Sequence, residues 1–135
     1  MERVQVKFNK IMQSKAYTCL VFGTESKQFA IYTEPSVGKN LQMLLAEEPH
    51  PRPYTHDLMN LAYKGLDVKV LQILINRLED STYFARLFLQ KQEGEMLHIL
   101  EIDARPSDCI TLALSHNAPI YCNKDILLQA VPFED

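Results

Sequence analysis

The sequence lacks several features that would assign it at once to a well-marked class. It has no tryptophan and only 4 glycines among 135 residues. No glycine-rich phosphate loop, GxSxG elbow or dinucleotide fingerprint occurs. No segment approaches the roughly 18 apolar residues of a membrane span, and no apolar stretch follows the charged N-terminus as in a secretory signal. These absences exclude common nucleotide-binding and hydrolase motifs and predict a cytoplasmic protein that is not exported and has no membrane partner.

Cysteine is scarce and widely spaced. Cys19, Cys109 and Cys122 are an odd number of residues, each set in an apolar stretch. No CxxC motif and no Cys/His cluster accompanies them. This pattern favours reduced thiols in the core over a disulfide framework or a structural zinc site. We therefore predict three free thiols, with Cys109 and Cys122 buried, and a reducing compartment.

There is no excess of positive charge. Lys and Arg total 14 against 17 Asp and Glu, which gives a formal net charge of −3, so the molecule as a whole does not attract polyanions. Nucleic-acid binding would need a local basic patch. No basic stretch interleaved with aromatic residues, the pattern of a long single-strand groove, occurs in the sequence. The charge therefore counts modestly against a protein that binds nucleic acid.

Length and patterning predict one domain over residues 1–135, because a chain of this size buries roughly two-thirds of its unfolded surface. Strands are expected at residues 4–8, 17–22, 28–33, 68–76, 82–90, 96–103 and 119–122. Helices are expected to begin near Pro35, Thr55 and Pro106, with a final helical turn or two at residues 124–130. The expected fold is α+β, with two mainly antiparallel β-meanders, packed helices and the order βββααβββαβα.

The second predicted helix carries strong local signals. Thr55 is expected as its N-cap, Asp57 in the first turn suits the helix dipole, and Gly65 follows as a stop. The loop before it, residues 49–53, has three prolines and should be stiff. The residues expected to pack inward are Leu58, Leu61 and Ala62.

Two short motifs then carry a resemblance. Residues 52–58 read RPYTHDL and residues 103–108 read DARPSD. The first resembles the RPxTHDL motif of the bifunctional nuclease family, and the second resembles the DxRPSDA motif of that family, in the same order. The stretches STYFA at 81–85 and API at 118–120 extend the resemblance over nearly the whole chain. One departure is Cys109, where the family motif usually has alanine.

The resemblance implies a nuclease that hydrolyses both RNA and DNA. Such hydrolysis needs an activated water, stabilisation of the charge on the transition state, and help for the leaving oxygen. The candidate catalytic residues are His56, Asp57, Asp103, Arg105 and Asp108. The candidate substrate-binding residues are Arg52, whose guanidinium matches phosphate oxygens, and the helix-start residues Thr55 and Ser107.

A divalent cation, magnesium or manganese, is the cofactor that the carboxylates suggest. Glu101 and Asp103 alternate on one predicted strand, so they point to the same face about 7 Å apart, close enough to share a cation. Asp108 could join them from the next helix. The structural alternative is that Arg105 pairs with Asp103 while Asp108 satisfies backbone donors at the helix start, so that the corner only fixes a turn.

His56 invites a general-base interpretation, because imidazole exchanges protons near neutral pH. Adjacent helical residues do not face each other, so Asp57 is not automatically its orienting partner. The alternative is that His56 bonds to the first helical turn or to the proline loop. The remaining histidines, which have no motif around them, are expected in structural or surface roles: His50, His98 and His116.

Two functions stay open from the sequence. One is a small nuclease acting on RNA or DNA, with its site between the helix start at His56 and the turn from Asp103 to Asp108; the two motifs must then be neighbours in space. The other is a non-catalytic regulatory or anion-binding module in which the motifs form a structural corner. Under either function a homo-oligomer is expected, because small sheet-rich domains often cover exposed edge strands by self-association.

Overall fold

The computed structural model describes residues 2–134, in which seven strands form one sheet and four helices pack beside it. The strands are β1 (Arg3–Gln13), β2 (Thr18–Gly23), β3 (Gln28–Thr33), β4 (Val68–Glu79), β5 (Thr82–Glu93), β6 (Met96–Ala104) and β7 (Ile120–Asn123). The helices are α1 (Pro35–Leu45), α2 (Thr55–Gly65), α3 (Pro106–His116) and α4 (Lys124–Gln129). The predicted α+β class and element order are confirmed.

The two predicted meanders are halves of one sheet, which β7 joins. The strand order is β3-β2-β1-β7-β4-β5-β6. β7 pairs antiparallel with β1 and parallel with β4. Both edges of β7 are therefore paired, and Ile120 and Cys122, which share one of its faces, belong to the buried core. The parallel pairing requires α3 as the crossover that returns the chain to the middle of the sheet.

The sheet is curled, so that one edge approaches the far turn of the β4–β5 hairpin. The ring of Phe29 on β3 stacks on Tyr83 of β5 with centroids 5.8 Å apart, although four strands separate β3 from β5 in the sheet order. Part of the curl comes from β1, where the pairing with β2 shifts register between Phe8 and Lys10. Such bulges bend the strand and increase its twist.

The helices begin where the backbone signals place them, with one correction. Pro35 and Pro106 occupy the first turns of α1 and α3, as predicted. The N-cap of α2, however, is Tyr54 and not Thr55, because Tyr54 holds the extended backbone (φ −83, ψ 175) that precedes the helix. The Asp57 Oδ2 atom accepts a hydrogen bond from the Tyr54 N–H at 2.8 Å, which satisfies one unpaired donor of the helix start.

The inward face of α2 also differs from the prediction. Leu58 and Leu61 are 63% and 60% exposed, and Ala62 is exposed as well. The residues that pack against the core are Met59 and Tyr63. These two are four positions apart and so share one helical face, which turns the predicted leucines to the outside.

The three cysteines are free and buried, as predicted. Burial raises the pKa of the Cys109 thiol to about 12 and that of Cys122 to about 11, so both remain protonated thiols within the core. No helix in residues 2–134 is long and apolar enough to cross a membrane.

The strand β6 forms the edge of the sheet opposite β3 and is exposed along most of its length. Leu97 is 52% exposed and Leu100 is 56% exposed, and they project from opposite faces of the strand because side chains alternate. Met96 and Ile99 are also exposed. Apolar side chains on both faces of an unpaired edge are uncommon in a monomer, since such an edge readily pairs with another chain.

Candidate functional site

The first turns of α1, α2 and α3 converge on one open cleft of about 460 Å³. The lining residues from α1 and its N-cap are Glu34, Ser36, Val37 and Asn40; those from α2 and the loop before it are Pro53, Tyr54, Thr55, His56 and Met59; those from α3 and its N-cap are Arg105, Asp108, Thr111 and Leu112. The prediction that the two motifs are neighbours in space is confirmed. The sequence did not indicate the contribution of α1.

Three helix starts facing one cleft make it suitable for an anion. The first N–H groups of a helix have no partner inside the helix, and the helix dipole adds about half a positive charge at that end. Helix starts therefore bind phosphate and carboxylate groups readily. Proline at the first turn of α1 and of α3 removes a donor at each, which leaves Ser36, Ser107 and Asp108 as the next N–H groups in those helices.

Arg105, the N-cap of α3, is held at the rim of the cleft by two carboxylates. The guanidinium donates from Nε to Asp108 Oδ2 at 2.9 Å and from Nη2 to Asp108 Oδ1 at 3.3 Å. Nη1 donates to Glu34 Oε1 at 3.4 Å. The hydrogen bond with Asp108 and its negative charge raise the pKa of Arg105. The guanidinium is thus fixed in orientation while the side chain stays 61% exposed.

This arrangement corrects the structural alternative drawn from the sequence. Arg105 pairs with Asp108 and Glu34, and not with Asp103. Asp103 instead lies 3.9 Å from Arg86 on β5, its neighbour in the sheet. Asp108 does not cap backbone donors, since α3 has no side-chain cap at its start. The Asp108 carboxylate instead accepts two hydrogen bonds from the Arg105 guanidinium. Such a paired, charge-assisted geometry is stronger than a single bond from a neutral donor.

Beside the cleft, Asp57 gathers a group of aromatic and imidazole rings. The bonded imidazole is that of His50, whose Nδ1 lies 2.7 Å from Asp57 Oδ2. The ring of His50 also stacks on Tyr54 with centroids 4.0 Å apart. His56 Nε2 approaches Asp57 Oδ1 to 3.3 Å, but without hydrogen-bond alignment, so this nitrogen is buried and has no bonded partner. The sequence analysis expected a structural or surface role for His50 and did not indicate its bond to Asp57.

Asp57 is kept ionised by its surroundings. Burial acts to raise the pKa of its carboxyl, but the hydrogen bond from the Tyr54 N–H, the bond to His50 and the nearby imidazoles outweigh burial and lower the pKa below its usual value. An ionised Asp57 favours a proton on the imidazole nitrogens that face it. For His56, the nitrogen that faces Asp57 is Nε2, at 3.3 Å without hydrogen-bond alignment.

The carboxylates proposed for a cation lie elsewhere. Glu101 and Asp103 do share one face of β6, as predicted, but Arg86 sits between them, 3.2 Å from Glu101 Oε2 and 3.9 Å from Asp103 Oδ1. Neither lines the cleft. Within residues 2–134, no group of three or more His, Cys, Asp or Glu side chains is placed to hold a metal. The donor set therefore does not fit a divalent cation at this position, because arginine already supplies the positive charge.

The structure thus brings together some of the predicted site residues and separates others. Those that line the cleft are Thr55, His56, Arg105 and Asp108. Asp57 borders an adjacent shallow cavity together with His50. Those outside the cleft are Arg52, Glu101, Asp103 and Ser107, of which Ser107 is buried. The polar residues missed by sequence reasoning are Glu34, Ser36, Asn40, Tyr54 and Thr111 in the cleft and His50 beside it. Local signals were present for Glu34 and Ser36, which flank a helix-opening proline, and for Tyr54, which lies within the first motif.

Comparison with known proteins matches this chain to a described family. The family model for the bifunctional nuclease domain matches residues 20–134. Two proteins of Mycobacterium tuberculosis, each described as an uncharacterized protein (MT1877 and Rv1829), are 32% identical to the chain over 80 residues. These matches cover 59% of this chain and 44% of each relative. The matched region therefore spans less than half the length of these curated relatives.

Proposed function

Because the chain belongs to the bifunctional nuclease domain family, we propose that it hydrolyses phosphodiester bonds of RNA and DNA in the cleft between its three helix starts. The convergence of these helix starts on His56 and Arg105 carries the proposal. The cleft combines helix starts that suit an anion, an imidazole that can take a proton (His56) and a guanidinium fixed in orientation (Arg105). These are the components that phosphodiester hydrolysis needs when charge develops on phosphate oxygens.

In the proposed reaction the phosphate binds at the helix starts, and Arg105 faces its oxygens. His56 Nδ1 takes one proton from a water molecule as the water oxygen attacks phosphorus. The bond from phosphorus to the departing sugar oxygen breaks, and solvent supplies the proton for that oxygen through the open mouth of the cleft. Asp57 stabilises the charged imidazole from the Nε2 side, and His50 positions Asp57.

The test of this proposal is cleavage of labelled single-stranded RNA and DNA by the purified chain, followed on denaturing gels. Shortened products from both are expected. The alternative is a non-catalytic module in which the motifs form a structural corner, which the two carboxylates already holding Arg105 favour. That module would leave the oligonucleotides uncut at every time point, whether or not it binds them.

Replacing Arg105 with lysine should lower cleavage without unfolding the chain. Lysine keeps the charge but loses the planar fork that matches a phosphate, and removal of a transition-state donor costs roughly 10²- to 10³-fold in rate, so we expect a loss of about 10- to 100-fold with the charge retained. The ion pairs of Arg105 are well exposed, so the free energy of unfolding should change by less than about 1 kcal/mol. Cleavage rate and melting temperature measure the two effects.

The matched control is Arg77→Lys. Arg77 forms an exposed ion pair with Glu79 on β4, away from the residues that line the cleft. This variant should leave both cleavage and melting temperature unchanged. An Arg105→Lys variant that cleaves normally but melts several degrees lower would instead support the structural corner.

We also propose that the chain self-associates by pairing the exposed edge of β6 with β6 of a second copy. Leu97 and Leu100 project to opposite sides of β6, so each face of the extended sheet would gain apolar contacts across the new strand pair. Sedimentation velocity should then give a mass above the 15.6 kDa of one chain. The double variant Leu97→Lys, Leu100→Lys should sediment as a monomer, whereas Leu58→Lys on α2 should not change the mass. A wild-type protein that stays monomeric at all concentrations contradicts this assembly.

A further inference from the structure

A groove continues from the cleft on the other side of Arg105. Arg105 lines both the cleft and a second cavity of about 310 Å³. Tyr32, Ser81 and Tyr83 line both this second cavity and a third one of about 350 Å³. The second cavity therefore shares lining residues with the cleft on one side and with the third cavity on the other. Together the second and third form what we call the side groove, which runs between β3 and the β4–β5 turn towards Phe133.

The side groove presents an aromatic ring to solvent. Tyr32 on β3 is 60% exposed. The ring of Tyr17 meets it edge-on, with centroids 5.2 Å apart, so Tyr32 has a neighbour on one side and an open surface on the other. Deeper in the groove, Tyr83 is anchored by its stacking on Phe29. An anchored and exposed ring is a surface on which a planar group can stack at little entropic cost.

The charges along the side groove suit a polyanion, although the whole chain is acidic. Arg105 is the charged residue among those that line its two cavities, and no carboxylate lines either of them within the described part of the chain. At the other end the ammonium of Lys10 lies 5.6 Å from the centre of the Phe133 ring, and Phe133 lines the third cavity. Arg105, which is also paired with Asp108 and Glu34, and Lys10 thus stand at the two ends of an aromatic surface.

We infer that the side groove binds a single-stranded nucleic acid whose scissile phosphate lies in the cleft, with one base stacked on Tyr32. This inference rests on the proposed function and names the form of its substrate. In a duplex both faces of each base are covered by neighbouring bases, whereas a single strand can offer a base to an aromatic ring. Grooves that bind single strands generally combine cationic side chains with aromatic rings on which bases stack.

The sequence did not predict this groove, because no continuous stretch of the chain contains the pattern. The fold assembles it from three separate segments: β3, the β4–β5 turn and the residues after α4. The curl of the sheet, seen in the stacking of Phe29 on Tyr83, is what brings the first two together.

The test is binding of labelled oligothymidylate with cleavage-resistant phosphorothioate linkages, measured by fluorescence anisotropy. Tyr32→Ala should weaken binding by about 5- to 150-fold, the usual effect of removing a base-stacking ring. Tyr32→Phe keeps the ring and should bind nearly as the wild type does. An abasic strand of equal length should bind more weakly to the wild type and should not respond to Tyr32→Ala. Leu61→Ala, at an exposed position on α2, is the control for a generally altered surface.

Three results would overturn the inference: an equal loss for base-bearing and abasic strands, a matching duplex bound as tightly as the single strand, or binding that does not depend on Tyr32. The last result would leave the groove to a protein partner. Binding that depends on Tyr32, in a chain that cuts no unmodified strand, would support the groove while removing the proposed hydrolysis. If cleavage and binding are both unchanged in Tyr32→Ala, the proposed hydrolysis is supported and the inference about the side groove is overturned.

Discussion

Replacing His56 with alanine is expected to lower phosphodiester cleavage by about 10²- to 10⁴-fold, the usual contribution of a positioned general base. The fold should survive, because His56 Nε2 has no bonded partner to lose, and Asp57 keeps its bonds to the Tyr54 N–H and to His50. Initial rates on labelled RNA and DNA measure the loss. Near-ultraviolet circular dichroism and the melting temperature check that the variant is folded.

Free imidazole separates a chemical role of His56 from a structural one. If the ring only exchanges a proton, imidazole added to His56→Ala should diffuse into the open cleft and restore part of the rate. The matched control is His98→Ala on β6, where the side chain is 51% exposed and the rate should not change. Full activity in His56→Ala, or a loss that imidazole cannot relieve in a folded variant, would argue against His56 as the base.

The elements of the fold were predictable where a local signal fixes the backbone. Proline at the first turns of α1 and α3 marked their starts, and Asn117, in the left-handed conformation with φ 56, marked the end of α3. The joining of the two meanders through β7 was not predictable, because strand pairing between distant segments depends on how the whole sheet closes. The curl that forms the side groove has the same origin.

The candidate site was likewise predictable only in part. The two motifs supplied His56, Arg105 and Asp108, which line one cleft. Arg105 and Asp108 pair within one motif, but two further partners come from outside the motifs and were not predicted. Glu34 reaches Arg105 from the start of α1, and His50 reaches Asp57 from the proline loop. Glu101 and Asp103 look suited to a metal in the sequence. In the structure they are paired with Arg86, which comes from the neighbouring strand and could not be read from the same stretch of chain.

Replacing Gly38 with alanine should destabilise the fold by about 2 to 5 kcal/mol, the combined effect of overpacking and of lost buried hydrogen bonds. Gly38 is buried on α1, and an added methyl group would overlap Gln13 Oε1 and Thr18 Oγ1 and would lie 2.6 Å from Thr18 Cγ2. The Thr18 hydroxyl, which is fully buried, accepts from the Gly38 N–H at 3.1 Å and bonds to the Glu34 carbonyl at 2.9 Å. The methyl group therefore pushes apart the contacts that attach α1 to the sheet.

The melting temperature should fall by roughly 8 to 20 °C in a domain of this size. Cleavage should fall too at temperatures where the variant is still folded, because α1 carries Glu34, Ser36 and Asn40 into the cleft. The control is Gly65→Ala at the end of α2, where an added methyl group has nothing within 4 Å. Alanine there restricts the unfolded chain and should stabilise by about 0.4 to 1 kcal/mol. Equal melting temperatures for the two variants would mean that α1 does not pack on Thr18 as closely as this structure has it.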